Sequence, residues 1–209
     1  LRSWLDRLGI GVHRSISVTQ EVEDVDGIEI TSYTGITEMN LELTGMAVTV
    51  LPWDGEEITV DISNVRSDLK DRIRVTQDGE ELDLEMQEQG RWNTNNVGTI
   101  YISVPRGMTF DSVSADAGAG VIEMEGIAAK ELSVNAGVGT VEMRSFSVES
   151  LDAECGIGQI VLDGEVTSEA DISCSMGEVV LTLPGARDAY NYEVSSSMGS
   201  VTLDSEDYS

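Results

Sequence analysis

Five glycine turns in this chain have residue types and a spacing that could do chemistry. "AGAGVIEM" spans residues 117–124, "AGVGTVEM" 136–143 and "CGIGQIVL" 155–162. "CSMGEVVL" at 174–181 and "SSMGSVTL" at 196–203 keep the second glycine of the pair. A GxG ahead of an apolar run can cradle phosphate, but a dinucleotide loop needs a third glycine and then a helix. The calcium repeat of β-rolls needs an Asp after the second glycine. Neither pattern is met. The remaining reading is a structural corner, in which glycine permits positive φ or a close approach of neighbouring backbones. The corner residues are Gly118, Gly120, Gly137, Gly139, Gly156, Gly158, Gly177 and Gly199.

Other reactive side chains are sparse. His13 is the only histidine and stands far in sequence from Cys155 and Cys174, so a Cys–His nucleophile or a zinc set lacks its parts. The two cysteines hold the same place in successive repeats. Read as neighbours, they are a reduced, buried, small apolar pair; the alternative is a disulfide between adjacent strands. Carboxylates recur at outward positions: Asp152, Asp171 and Glu193 in one row, Asp116, Asn135 and Glu154 in another, and Glu123 with Glu142. Oxygen-rich rows of this kind suit weak Ca²⁺ binding, and equally a solvated acidic face. Apart from weak Ca²⁺, no cofactor is expected. No catalytic residue is assigned. Polysaccharide lyases need a cation over a calcium cleft, and Lys130, Arg144 and Arg187 sit at unrelated repeat positions. Phe146, Tyr190 and Tyr192 are too scattered to make a sugar-stacking ladder.

The elements that position these residues follow from two periods. The second glycines, Gly120, Gly139, Gly158, Gly177 and Gly199, step by 19, 19, 19 and 22 residues. A fixed step of this size is the mark of stacked structural repeats. Around each corner apolar and polar residues alternate, as in Val113, Ala115, Ala117 and Ile122, Met124. Period-two alternation predicts strands with one buried face, and like residues at like positions predict ladders inside the coil. Residues 14–105 also alternate, with an Asp78-Gly79 hairpin turn and a strand over "GTIYISVP" (98–105). "EQGRWNTNNVG" (88–98) reads as a long loop. The expected fold is all-β: a single-stranded parallel β-solenoid of about 19-residue rungs over 106–209, right-handed by the general preference of parallel connections. An irregular antiparallel β region over 14–105 continues into it as one domain, after a flank at 1–13. Leu1, Trp4, Leu5 and Leu8 give that flank an amphipathic helical pattern, and "DSEDYS" (204–209) suits a polar terminal cap.

Composition narrows the function. The 209 residues carry 39 acidic against 12 basic side chains, a formal net charge of -27. Such a chain repels phosphate backbones and anionic lipid, so nucleic acid is excluded as a partner. No apolar run reaches transmembrane length, so no direct membrane span is expected.

With these segments in place the chain resembles the bacterial putative adhesin family of envelope-associated β-solenoid domains of unknown function. The resemblance lies in "AVTVLPWDGEEITVDI" (47–62), "VTQDGEELDLEMQE" (75–88), "GTIYISVP" (98–105), "VSADAGAGVIEMEG" and "LSVNAGVGTVEM", and covers about residues 26–204. It implies a non-catalytic binding or scaffold module, extracytoplasmic or on the cell surface; whether an anchoring segment lies outside this chain is left open by the sequence. Its partner would be an envelope, glycan or protein ligand, and the family has no catalytic residues to transfer. Two alternatives stand beside it: a self-assembling, bactofilin-like structural element, which the charge opposes, and a glycan-active enzyme.

Overall fold

The computed structural model describes residues 29–86, 97–184 and 191–205. The flank with Leu1, Trp4, Leu5, Leu8 and His13, most of the 88–98 loop, Arg187, Tyr190 and residues 206–209 of the expected cap lie outside these.

The chain forms fifteen strands and one short helix. The first part comprises β1 (Ile30–Tyr33), β2 (Glu38–Leu43), β3 (Ala47–Trp53), β4 (Ile58–Asp61), α1 (Ser67–Lys70), β5 (Ile73–Asp78), β6 (Glu81–Met86) and β7 (Thr99–Pro105). The second comprises β8 (Thr109–Ala117), β9 (Val121–Glu125), β10 (Ala128–Ala136), β11 (Thr140–Cys155), β12 (Gln159–Cys174), β13 (Glu178–Leu183), β14 (Asn191–Ser196) and β15 (Ser200–Ser205). The two 16-residue strands bend midway: β11 pairs with β9 through Thr140–Arg144 and with β10 through Ser147–Cys155. The bend coincides with a register shift between Arg144 and Phe146, where Ser145 takes a left-handed φ of 56°. An extra residue in αL is the usual way a strand bends sharply.

All fifteen strands belong to one sheet, and that sheet is mixed. This overturns the expected single-stranded parallel β-solenoid with an N-terminal antiparallel region. Strands β2 and β3 pair in parallel with β8 and β9, as in Leu41↔Ala115 and Val48↔Ile122, and with β6 and β7 on their other sides. Antiparallel pairing is confined to β1–β4, β4–β7 and β5–β6. The sheet curls, nearly closed and barrel-like, around one hydrophobic cluster. Alternation in a sequence shows which side chains face inward, but not which strand lies beside which, because partners are set by long-range packing. The Asp78-Gly79 turn does make the expected hairpin: Asp78 faces Glu81, and Gly79 has φ 63°.

The core is a set of ladders. Leu43, Ala117, Ala136, Cys155 and Cys174 lie on successive strands in register, all buried. Val48, Ile122, Val141, Ile160 and Val179 form a second ladder, facing the first. Each buried branched or thioether side chain removes enough apolar surface from water to contribute roughly 1.5–3 kcal/mol. The narrow Ala and Cys positions let the corner turn close tightly behind them.

Candidate binding surface

The glycine corners stack as successive copies of one turn. Val138 N–H donates to Gly118 O at 2.8 Å, Ile157 to Gly137 O at 2.8 Å, Met176 to Gly156 O at 2.8 Å and Met198 to Ser175 O at 2.7 Å. None of the eight expected corner glycines has positive φ. They are needed for close approach instead. A Cβ on Gly158 would lie 2.2 Å from Gly139 O, and one on Gly177 would lie 2.3 Å from Gly158 O and 2.5 Å from Cys155 Sγ. The demand is weakest at Gly118, where the nearest atoms are 3.4 Å away.

Cys155 and Cys174 are adjacent in register, buried, and both free thiols. Cys155 Sγ lies 3.1 Å from Gly158 O, to which the thiol donates. Burial, and secondarily the neighbouring Cys174, push the Cys155 thiol up from its ordinary value. Cys155 therefore stays in the neutral form that packs well.

The carboxylate rows form as the spacing predicts. Asp152 is opposite Asp171, and Asp171 opposite Glu193, all exposed. In the row of Asp116, Asn135 and Glu154 the middle amide donates to Asp116 at 3.1 Å, which relieves part of the repulsion. Glu123 and Glu142 are also opposite each other, and Arg144 pairs with Glu142. Lys130 bridges to Asp111 on the preceding strand at 2.5 Å, so the ammonium lowers that carboxyl below the usual range. Among the described residues no group of three or more His, Cys, Asp or Glu converges as a metal site would require.

One feature of the surface was missed in the sequence: the residue between the glycines. Val138, Ile157, Met176 and Met198 stand at the turn apices and are 67%, 58%, 52% and 76% exposed. Because the turns stack, these side chains form one apolar ridge along the corner, with Ala119 exposed at its start. The signal was available, since turn apices are ordinarily Asn, Asp, Ser or Gly, and an apolar residue recurs at this one. The other concavity of note is a shallow depression of about 220 Å³ beside the β11 bulge, lined by Ser145, Phe146, Asp163, Gly164, Thr182 and Pro184 among others.

The geometry defines an all-β domain whose stacked glycine corners and regular outer rows face solvent. A family model described as Toastrack DUF4097 matches residues 36–182 and, in a second overlapping match, 106–209. The chain belongs to this family, a bacterial putative-adhesin domain of unknown function, in agreement with the resemblance read from its motifs. No curated protein matches the sequence. Among solved structures it is similar to a putative cell adhesion protein from Clostridium sporogenes, at 14% identity and a TM-score of 0.47, covering 85% of this chain and 98% of that one. It is also similar to putative adhesins from Parabacteroides distasonis (11% identity, TM-score 0.43) and Bacteroides fragilis (11%, 0.41), each covering 84% of this chain and 94% of the other. No helix among the described residues is long and apolar enough to cross a membrane.

Proposed function

We propose that this chain is a non-catalytic binding or scaffold module outside the bacterial cytoplasm, acting in adhesion or at the cell envelope. The observation that carries this reading is the regularity of its outer surface. Over Ser112–Ala117, Glu131–Ala136, Ser150–Cys155, Glu169–Cys174 and Asn191–Ser196, strands β8, β10, β11, β12 and β14 hold one register, so their outward side chains line up in rows at strand spacing. A repeating ligand, such as an envelope polymer, engages such a surface at several equivalent points, each weak alone and additive through multivalency. Family membership supports the same reading.

Co-sedimentation of the purified chain with isolated bacterial envelopes tests it, run with calcium and with chelator. Saturable pelleting is the expected result. Loss of pelleting in chelator, restored by calcium, would point to the acidic rows, among them Asp152, Asp171 and Glu193. Absence of saturable pelleting in both conditions would sink the envelope reading.

A further inference from the structure

The ridge of Val138, Ile157, Met176 and Met198 is a cost without a structural return. These side chains take no part in the buried core, and the corner would close equally well with Ser or Asn at each apex. Backbone stacking fixes the row: each apex N–H donates to the carbonyl of the turn before it, so neighbouring apices lie about 4.8 Å apart. The backbone of the row is held in place by these bonds, and the flexible Met176 and Met198 side chains can adapt to an apolar partner.

Its flanks carry one sign of charge. On the strand entering the corner, Glu154 lies exposed beside Ile157, with Asp152 and Asp171 two positions further back. On the strand leaving it, Glu178 follows Met176 and accepts a hydrogen bond from Gln159 at 2.7 Å. Glu193 continues the acidic row beside Met198. Among the described cations, Lys130 near the start of β10 and Arg144 beside the mid-strand bulge of β11 are set back from the corner and already paired with Asp111 and Glu142. A narrow apolar strip between carboxylate rows is complementary to a molecule with an apolar stripe between ammonium or guanidinium rows.

We propose that this corner ridge is a docking surface for a cationic amphipathic polypeptide. The apolar stripe of the partner lies along Val138, Ile157, Met176 and Met198, and its Lys or Arg side chains reach Glu154, Asp171 and Glu178. The net charge of -27 draws such a partner in at long range. A second copy of this chain fits poorly: it brings the same negative charge, and four side chains fall well short of the roughly 800 Å² per partner of a standard interface. This inference is independent of envelope binding, because it concerns the corner and is read with a soluble peptide.

The probe is an 18-residue Leu/Lys amphipathic helix, titrated at low ionic strength, with a Ser/Lys peptide of equal charge as control. The test variant carries Ile157→Ser, Met176→Ser and Met198→Ser, and the single Ile157→Ser variant serves if the triple one misfolds. The Leu/Lys peptide is expected to bind saturably, and the triple variant to bind it at least about tenfold more weakly, with a smaller loss in the single variant. Glu154→Gln with Glu178→Gln should weaken binding and flatten its salt dependence. Equal affinity for the native and Ser-substituted chains would reduce the binding to general acidity and overturn the proposal. So would equal affinity for the two peptides, or no binding of the Leu/Lys peptide. Ridge-dependent pelleting with neutral phosphatidylcholine vesicles, or ridge-dependent self-association in sedimentation, would replace the proposed occupant with a membrane or a second copy.

Discussion

At the scale of the residue, Gly158 is a case of one missing atom deciding stability. Its missing Cβ makes room for Gly139 O, which would otherwise lie 2.2 Å away. The obstacle is backbone carbonyl, so no rotamer change relieves it. Gly158→Ala should destabilise the domain by about 1–3 kcal/mol, the usual range for overpacking. At this chain length that corresponds to a drop of roughly 2–12 °C in melting temperature, readable by circular dichroism. Tyr33 gives a second test. Burial, partly offset by a hydrogen bond with Thr31, raises its phenol from 10.0 to about 12. The folded pKa lies above the unfolded one, so the stabilisation is complete below pH 10 and is lost as pH rises through about 12. The full loss is on the order of 2–3 kcal/mol. Tyr33→Phe should remove this part of the alkaline unfolding curve, and an unchanged curve would show that other groups set it.

At the scale of the element, the rows of like charge on adjacent strands are an unfavourable contact. Asp152 opposite Asp171 opposite Glu193 repel across strand spacing. Added monovalent salt screens this, so the melting temperature should climb between 10 mM and 1 M salt, over which the Debye length falls from about 30 to about 3 Å. Asp171→Asn sits in the middle of the row and should stabilise by a few tenths to about 1 kcal/mol at low salt. The gain should shrink as salt is added. A gain independent of salt would mean that charge repulsion along the row is not its source. Asp111 and Lys130 are the favourable counterpart, an exposed pair joining β8 to β10. The Asp111 carboxyl is lowered, so its contribution is present above the ordinary carboxylate value and is lost as pH falls from there through the lower folded value.

At the scale of the whole molecule, the sheet is stitched unevenly. Strand β12 has neighbours on both sides along its length, β11 on one and β13 and β14 on the other, whereas β14 and β15 each pair on one side only. The exposed Val194 and Met198 mark the same end as thinly covered. Hydrogen exchange should therefore be slowest in β11 and β12 and fastest in β14 and β15, with the two ends opening separately. Uniform protection from β2 to β15 would show a single cooperative unit instead. Charge also acts at this scale: at -27, self-repulsion favours the dispersed monomer at low salt.

Much of this molecule was legible in its sequence where the cause is local. Alternation around each glycine pair identifies the inward residues, and Val113, Ala115, Ala117, Ile122 and Met124 are all buried as that pattern requires. The 19-residue step puts Ala136 opposite Cys155 and Cys155 opposite Cys174, because identical spacing brings like positions side by side. Asp78-Gly79 makes its hairpin because the turn chemistry is contained in those residues. What the tertiary structure alone decided is non-local. Strands β2 and β3 join β8 and β9 in parallel, although, apart from the Asp78-Gly79 hairpin, nothing in residues 14–105 marks which partner each strand takes. Backbone hydrogen bonds are indifferent to sequence, so partners are chosen by how the whole core packs. The same holds for the corners. The sequence determined that glycine is required there, but only the stacked backbone shows that the requirement is space beneath a carbonyl, and that Val138, Ile157, Met176 and Met198 line up above it as a ridge.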